Sequence, residues 1–211
     1  MTLLMLPLVI LLHWFQPQVR PLSHEELLHA LERVSPANRT FSALQGCMDP
    51  KVFREAWAAT IRQRPEAPLL AIADFTQPSS VQRFYLVDLK ANRLLLQTWV
   101  AHGRNSGDDF AVYFSNENAS NKSSKGTFLI GEPFHSPKHG DAFLLEGLDK
   151  GVNDNARSRE IIIHGADYVR EEFIEAHGRC GRSLGCPALP PEAMQKVSRL
   201  LKPGSILYIH R

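Results

Sequence analysis

Residues 161–165 of the chain read Ile-Ile-Ile-His-Gly, and residues 181–187 read Gly-Arg-Ser-Leu-Gly-Cys-Pro. The β-branched apolar run predicts a buried strand that carries His164 at its end. Cys186 follows in a turn that Gly185 and Pro187 flank. A loop of this kind can expose the thiol and bring it within reach of the imidazole, which nucleophilic thiol chemistry requires.

A thiol needs help to act as a nucleophile, because a free cysteine titrates near ~8.5 and is mostly protonated at neutral pH. A neighbouring imidazole can remove the proton, and the resulting ion pair then lowers the pKa of the thiol. The alternative is a structural Cys186 beside a core His164. These two residues alone favour that alternative, because both residue types are common in protein interiors.

The loop around the cysteine has features that suit acyl chemistry. Gly185 lacks a side chain, so a substrate carbonyl could approach the backbone N–H groups of Gly185 and Cys186. These two amides are therefore candidates for an oxyanion hole. Pro187 fixes its own φ and restricts Cys186, which is expected to stiffen the loop.

The two stretches resemble the L,D-transpeptidase catalytic-domain family of the YkuD type, whose signature is His-Gly followed by a Ser-x-Gly-Cys loop. The chain is most similar to the murein L,D-transpeptidase subgroup, in which the loop reads Gly-Arg-Ser-x-Gly-Cys-Pro. Further segments resemble this subgroup in the same order, at residues 100–107, 114–116, 123–126, 147–148 and 153–154. The resemblance covers roughly Leu69 to Arg211. It implies a mainly β (α+β) catalytic domain with a barrel-like or sandwich-like fold.

The resemblance also implies an acyltransferase that acts on peptidoglycan in bacterial cell-wall biogenesis. Cys186 would attack the carbonyl of the L-centre residue of a stem peptide and expel the terminal D-amino acid, leaving a thioester on the enzyme. An amine from a second stem peptide would then capture the acyl group. His164 would take the thiol proton and afterwards manage the protons of the amines. Peptidoglycan stem peptides are the implied partners, and no cofactor is implied.

Three alternatives to this function stay open at the level of sequence, one of them a different cysteine hydrolase, which acylation of the thiol by unrelated peptides alone would favour. If water takes the acyl group, the same pair makes an L,D-carboxypeptidase or endopeptidase. A non-catalytic wall-binding module would not need His164 and Cys186, and their presence argues against it. The choice between an amine and water depends on the shape of the cleft.

Four further residues have both a functional and a structural interpretation. Arg182 can pair with a substrate carboxylate or remain a solvated charge. Ser183 can hydrogen-bond the imidazole or the loop backbone, or form only a local turn. Gly165 can let the chain pass close behind the imidazole or merely form a turn. His102 can line the cleft and replace the histidine that many family members carry where this chain has Leu184.

The chain departs from the broad family at two other points. It has Ala188 where many members have arginine or asparagine, and the interval from His164 to Ser183 is slightly longer. These differences leave the nucleophile and the base intact. They concern how the substrate is gripped, and hence which peptide is accepted.

The composition agrees with one modest secreted enzyme. Among 211 residues, 24 Lys and Arg nearly balance 22 Asp and Glu. The chain has no basic block and no interleaving of arginine with aromatic residues, so we exclude nucleic acid as a partner. Its length suffices for one good core and a small subdomain.

The N-terminus carries an apolar run at residues 3–12 that resembles the core of a signal peptide and is short for a membrane span. No Lys or Arg precedes the run, and no small-x-small cleavage site follows at residues 13–16. An uncleaved membrane anchor is therefore the alternative. Because a wall substrate lies outside the cytoplasm, we expect an exported protein in the periplasm or cell envelope of a bacterium.

The cysteines and histidines do not predict a metal site. Cys47 and Cys180 could form a disulfide in an oxidising compartment, but two buried free thiols are slightly favoured. Cys180 and Cys186 have a poor spacing for zinc. His135 and His139 are separated by a proline that argues against the helix needed to align them.

The hydrophobic pattern predicts a signal peptide or anchor at 1–20 and a helical extension at 21–68, and the resemblance implies the catalytic domain at 69–211. In the extension, one helix is expected to begin at Ser23 and a second at Asp49-Pro50, and residues 64–68 read as a linker. The apolar face of the second helix comprises Val52, Phe53, Ala56, Trp57 and Ile61.

In the catalytic domain, strands are predicted at residues 69–75, 84–89, 93–101, 110–114, 127–131, 143–145, 160–164 and 205–210. A helix capped by Asp167 is expected to end at Gly178, and a final helix to run from Pro191 to Leu201.

Overall fold

The computed structural model describes Ser23, Thr40, Ser42, Leu44 and residues 46–63 and 68–211. The expected signal peptide or anchor, the body of the first helix and residues 64–67 of the linker lie outside these described residues. The second helix, α1, runs from Pro50 to Gln63, close to its predicted start.

Eight strands form one mixed sheet in the order β3-β2-β1-β8-β4-β5-β6-β7. Two neighbouring pairs, β1 with β8 and β6 with β7, are parallel, and the other pairs are antiparallel. The strands are β1 (Leu69–Asp74), β2 (Phe84–Asp88), β3 (Arg93–Thr98), β4 (Gly126–Ser136), β5 (Gly140–Gly147), β6 (Ile162–Gly165), β7 (Ala188–Leu189) and β8 (Ile206–His210).

The two edges of this sheet meet and nearly close it into a barrel. Ala101, just after β3, forms an antiparallel bridge with Ala188 of β7, and its N–H donates a hydrogen bond of 2.8 Å to the Ala188 carbonyl. A second bridge joins Gly103 to Ser183. Closure removes edges that would otherwise expose unpaired backbone groups. The predicted mainly β, barrel-like fold is therefore confirmed.

Strand β1 is buried on both faces, because the core inside the barrel packs against one face and helix α1 packs against the other. Ala71 and Ala73 belong to the core inside the barrel, whereas Leu70 and Ile72 belong to a second cluster outside it. Helix α1 adds buried apolar side chains, among them Val52, Phe53 and Ala56, to this second cluster. Ile61, which was predicted to share that face, is instead 38% exposed near the C-terminal end of the helix.

The strand predicted at residues 110–114 is wrong. The N–H groups of Val112 and Tyr113 both donate to the carbonyl of Ser106, so this backbone turns back on its own loop. The side chains of Phe110, Val112 and Tyr113 are exposed instead of packing in a core. Strand β7 was not predicted, because it has only two residues between prolines at positions 187 and 190.

Three short helical segments frame the candidate site. A 3₁₀ turn spans Asp167–Val169, and helix α2 then runs over Glu171–His177 with Arg170, not Asp167, at its N-cap. Gly178 ends α2 in the left-handed region at φ 71°, as predicted. Helix α3 spans Pro191–Leu200.

Candidate active site

His164 lies at the end of β6, between Ala142 of β5 and Ala188 of β7 in the sheet register. Its side chain is only 2% exposed, and its Nδ1 lies 2.8 Å from the carbonyl oxygen of Gly165. Because a carbonyl oxygen can only accept, the Nδ1–H group donates this bond. The Nε2 nitrogen therefore keeps its lone pair and can accept a proton.

Cys186 lies in the loop that enters β7, two residues before the partner of His164. It is half-buried, and its thiol is free. His164 and Cys186 both line a cleft of about 750 Å³. The Sγ atom lies 3.9 Å from the carbonyl oxygen of Glu160, a long and weak contact for a thiol donor. The fold thus brings the two candidate residues together at one cleft.

Both groups of this pair favour their neutral forms in the resting site. Burial lowers the pKa of His164 to about 4, with smaller contributions from His139 and Lys138, while the Gly165 hydrogen bond opposes the shift. Burial also raises the pKa of Cys186 above its usual value, against a backbone hydrogen bond from Ile162 and the charge of Arg159. Burial thus disfavours a thiolate–imidazolium pair at this site. The proton has to move as the thiol reacts.

Ser183 holds the cysteine loop together through its hydroxyl group. The Gly185 N–H donates to Ser183 Oγ at 3.0 Å, and Ser183 Oγ–H donates to the Cys186 carbonyl at 2.6 Å. Ser183 thus bonds the loop backbone, which was one of its predicted interpretations. The predicted oxyanion hole changes as a result, because the Gly185 N–H is already occupied. Among the described residues, the Cys186 N–H makes no hydrogen bond, which leaves it available.

The backbone conformation at position 185 and the atoms around it both require glycine. Its φ of 128° lies in a region that L side chains rarely adopt. A Cβ atom there would lie 2.9 Å from the carbonyl oxygen of Lys122. The Gly185 carbonyl also accepts a hydrogen bond of 3.0 Å from Ser123 Oγ. The segment at residues 122–123 therefore packs directly against the cysteine loop.

Arg182 and Leu184 lie at the rim of the cleft on the same loop. Arg182 Nη1 donates to the Gly107 carbonyl at 3.2 Å and pairs with Asp108 Oδ1 at the same distance. The Asp108 side chain is largely exposed, so this ion pair is weak. Leu184 is 58% exposed and adds apolar surface to the cleft.

The prediction that His102 lines the cleft is wrong. Its side chain is fully buried, and its Nδ1 accepts a hydrogen bond of 2.8 Å from Arg83 Nη2. Its Nε2–H faces the Gly107 carbonyl at 3.4 Å. Its own carbonyl accepts the N–H of Ser183 at 2.9 Å, so His102 supports the cysteine loop from behind.

A sequence model described as L,D-transpeptidase catalytic domain matches residues 45–210. The chain belongs to the L,D-transpeptidase catalytic-domain family. The family predicted from the motifs is therefore confirmed. The match begins before α1, at residue 45.

Solved L,D-transpeptidases are similar to this domain at low sequence identity. The L,D-transpeptidase from Mycobacterium smegmatis is 13% identical with a TM-score of 0.43, and the match covers 69% of this chain and 59% of that chain. L,D-transpeptidase 3 from Mycobacterium tuberculosis, in complex with a faropenem-derived adduct, is 12% identical with a TM-score of 0.45, covering 68% and 60% respectively. The L,D-transpeptidase from Xylanimonas cellulosilytica is 15% identical with a TM-score of 0.39, covering 70% and 62%.

The chain spans about half to three fifths of the length of the solved structures that it matches. No curated protein sequence matches it.

Two neighbours of the pair in this L,D-transpeptidase domain were missed from sequence as site residues. The His139 ring packs on the His164 ring with centroids 4.0 Å apart. Arg159 lines the cleft and donates to the carbonyls of Ser115 and Lys122, both at 2.7 Å, which ties the polar loop at residues 115–122 to the site. Neither residue lies in a motif, so only the folded geometry identifies them.

Gly165 lies next to His164, and the position that a side chain would occupy at Gly165 faces helix α3. A Cβ atom there would lie 3.3 Å from Pro191 Cα and 3.4 Å from Met194 Cβ. The close approach predicted for Gly165 is therefore an approach of β6 to α3. The Gly165 carbonyl also receives the His164 hydrogen bond.

Cys47, Cys180 and Cys186 are all free thiols. Cys180 is buried, and its thiol donates to the Ser79 carbonyl at 3.0 Å. Within residues 46–63 and 68–211, no three His, Cys, Asp or Glu side chains are grouped so that they could hold a metal ion. In the same ranges, no helix has the length and hydropathy needed to span a bilayer.

Proposed function

We propose that this chain is an exported peptidoglycan L,D-transpeptidase that acts through an acyl-enzyme on Cys186. The proposal is carried by one observation: in a domain of this family, Cys186 and His164 line the same cleft, and the Nδ1–H of His164 donates to the Gly165 carbonyl.

In the acylation step, Nε2 of His164 takes the thiol proton while Sγ attacks the carbonyl carbon of the L-centre residue of a stem peptide. The Cys186 N–H is the donor left to stabilise the oxyanion, since the Gly185 N–H bonds Ser183. The protonated His164 then gives its proton to the leaving amine of the terminal D-amino acid. The product is a thioester on Cys186.

In the transfer step, an amine of a second stem peptide attacks the thioester carbonyl. His164 takes a proton from the attacking nitrogen and returns it to the departing sulfur. An amide crosslink or an exchanged terminal D-amino acid results. Peptidoglycan stem peptides are thus both donor and acceptor.

Arg182 is suited to recognise a carboxylate of the donor stem. Its present partner, Asp108, is exposed and contributes little, so a substrate carboxylate can replace it. Leu184, which stands where many family members have histidine, offers an apolar contact at the same rim. The substrate location requires export to the periplasm or cell envelope, with residues 1–20 as signal peptide or anchor.

The decisive experiment is incubation with purified disaccharide-peptides, followed by mass spectrometry of products and protein. Crosslinked dimers together with an adduct on Cys186 support the proposal. Trimmed monomers alone indicate transfer to water and thus an L,D-carboxypeptidase. Cys186→Ala should abolish both adduct and product, whereas Cys47→Ala, which removes a half-buried free thiol from a position that does not line the cleft, should leave both unchanged. Full turnover by Cys186→Ala would disprove the proposal.

A further inference from the structure

A second cavity adjoins the catalytic cleft at the tip of the β4–β5 hairpin. It has a volume of about 570 Å³ and lies between this hairpin, the 3₁₀ turn and the start of helix α3. Lys138, His139 and Tyr168 line both cavities. The two cavities therefore adjoin at these side chains.

The His139 imidazole is placed to exchange protons there. Its ring packs on that of His164 at a centroid distance of 4.0 Å and an interplanar angle of 42°. In the described part of the chain, neither of its ring nitrogens has a hydrogen-bond partner. By contrast, His135 on the same hairpin bonds Asp141 at 3.1 Å. His139 thus presents free ring nitrogens to the cavities beside the reacting pair.

The proposed transfer step needs more proton acceptors than His164 alone provides. An aliphatic amine reaches the site as an ammonium ion, and it must lose one proton before its nitrogen can attack. The nitrogen loses a second proton as the amide forms, and His164 returns that proton to the thiolate. Solvent can remove the first proton before binding, whereas a base beside the thioester can remove it from the bound ammonium ion while the acyl-enzyme is waiting.

We propose that His139 is this second base and that Lys138 binds a carboxylate on the same carbon as the acceptor amine. The acceptor is then the amino acid centre of a stem or a free D-amino acid, which carries both an ammonium and a carboxylate. This inference rests on the proposed function, whose transfer step it makes specific.

The steps balance as follows. The acceptor ammonium gives one proton to a ring nitrogen of His139, which becomes an imidazolium. The freed amine forms the C–N bond to the thioester carbon and gives its second proton to Nε2 of His164. The C–S bond breaks, and the Cys186 thiolate takes that proton from His164. The His139 imidazolium finally releases its proton to water.

The surrounding charges agree with these roles. Burial, together with the charge of Lys138, lowers the pKa of His139, which favours the neutral ring that can accept a proton. Lys138 has no ion-pair partner among the described residues. The two carboxylates that line the second cavity are already paired, Asp141 with His135 and Asp167 with Arg170. Lys138 is therefore the cation free to meet an incoming carboxylate.

The test uses the full chain and measures its two half-reactions, acylation of Cys186 and transfer to the acceptor, separately. The acyl-enzyme is formed with a disaccharide-peptide and detected as the mass adduct on Cys186, and D-alanine is then added as acceptor. For His139→Phe and His139→Gln we expect adduct formation within about twofold of the unsubstituted protein, but transfer to D-alanine slower by about 100-fold. His177→Gln, at an exposed histidine that lines neither cavity, should leave both rates unchanged.

Two further measurements distinguish a base from a structural residue. Hydroxylamine is uncharged at neutral pH and has no ammonium proton to lose, so it should be acylated equally fast by His139→Gln and the unsubstituted protein. Lys138→Met should reduce the preference for D-alanine over D-alaninamide by about tenfold, because the charge-assisted contact to the carboxylate is lost.

The outcomes that contradict this inference are distinct from those that contradict the proposed function. No adduct on Cys186 in the unsubstituted protein would refute the proposed function, and with it this inference. An adduct followed only by transfer to water would refute the acceptor site. An adduct followed by equal transfer to D-alanine in His139→Phe, His139→Gln and the unsubstituted protein would refute the role of His139 alone. So would slow transfer of hydroxylamine by His139→Gln.

Discussion

The Nδ1 nitrogen of His164 lies 2.8 Å from the carbonyl oxygen of Gly165, the next residue along the same strand. This contact selects the tautomer in which Nε2 is the free base. It also opposes, without cancelling, the effect of burial that lowers the pKa of His164 to about 4. The His164 ring is therefore mostly neutral down to about pH 4.

This neutrality predicts an unusually low acid limit for acylation. A base whose pKa is about 4 is lost only as the pH falls through that value. We expect the rate of adduct formation on Cys186 to be nearly constant from pH 7 down to pH 5 and to be halved near pH 4. Rapid-quench mass spectrometry at a series of pH values measures it. A rate already halved near pH 6.5 would show an unperturbed imidazole.

Ser183→Ala should loosen the cysteine loop, because the Ser183 hydroxyl bridges Gly185 and Cys186. The substitution leaves a buried N–H unpaired, so we expect a loss of about 2 kcal/mol in the free energy of unfolding. Adduct formation should slow by about tenfold or more. Urea unfolding and the acylation rate are the measurements. Ser198→Ala on α3, which removes only a bond to the Gln195 carbonyl at an exposed site, should change neither.

Gly185→Ala should be more damaging than Gly178→Ala, although both glycines have positive φ. At Gly178 a Cβ atom meets nothing within 4 Å. The only cost of the substitution is therefore the left-handed conformation of an alanine, about 1 kcal/mol. At Gly185 the new Cβ lies 2.9 Å from the Lys122 carbonyl, and the loop must shift. We expect Gly185→Ala to lose acylation by ~100-fold, and Gly178→Ala to keep it. Equal activities would mean that the loop adjusts without moving Cys186.

The strands were predictable wherever one face of the chain enters the core. The long β4–β5 hairpin was underestimated, because residues 132–135 are exposed and show no alternation between apolar and polar faces. The strand wrongly predicted at residues 110–114 has the opposite explanation, because there the apolar pattern is present but the burial is not. Its apolar side chains suggested burial, but Val112 and Tyr113 bond a loop carbonyl and face outward. Local pattern reports propensity, whereas tertiary contacts decided these segments.

The titration of His102 gives a prediction for stability. Burial and the adjacent Arg83 lower the pKa of His102 to about 4, while an unfolded chain titrates near ~6.5. Between these values the unfolded state binds a proton that the folded state does not, so stability falls as the pH drops from about 6.5 towards 4. We expect a loss of about 3 kcal/mol from this group between pH 7 and pH 4.

His102→Gln should remove that part of the pH dependence, because an amide can accept from Arg83 and donate to the Gly107 carbonyl without titrating. Urea unfolding at pH 7 and pH 4 measures the difference. The exposed His177→Gln is the matched control and should keep the steep dependence. An unchanged slope in His102→Gln would assign the effect to other groups, of which buried His164 is the first.

The site was predictable only in its motif residues. The two stretches identified Cys186 and His164, since strand and turn patterns are local. The positions of His139 and Arg83 are not local. His139 reaches His164 because Ala142 of β5 is registered opposite His164. Arg83 is fully buried and bonds the carbonyl of Val100 and the His102 ring. An arginine side chain is normally expected at the surface.

The parallel pairing of β1 with β8 has a consequence for biosynthesis. These strands come from opposite ends of the described domain, and the bridge from Ala101 to Ala188 likewise joins its first half to its last quarter. Such a topology has a high contact order, so a nascent chain cannot assemble its barrel until the final strand has left the ribosome. The cleft that His164 and Cys186 line is therefore complete only once β8 has been synthesised.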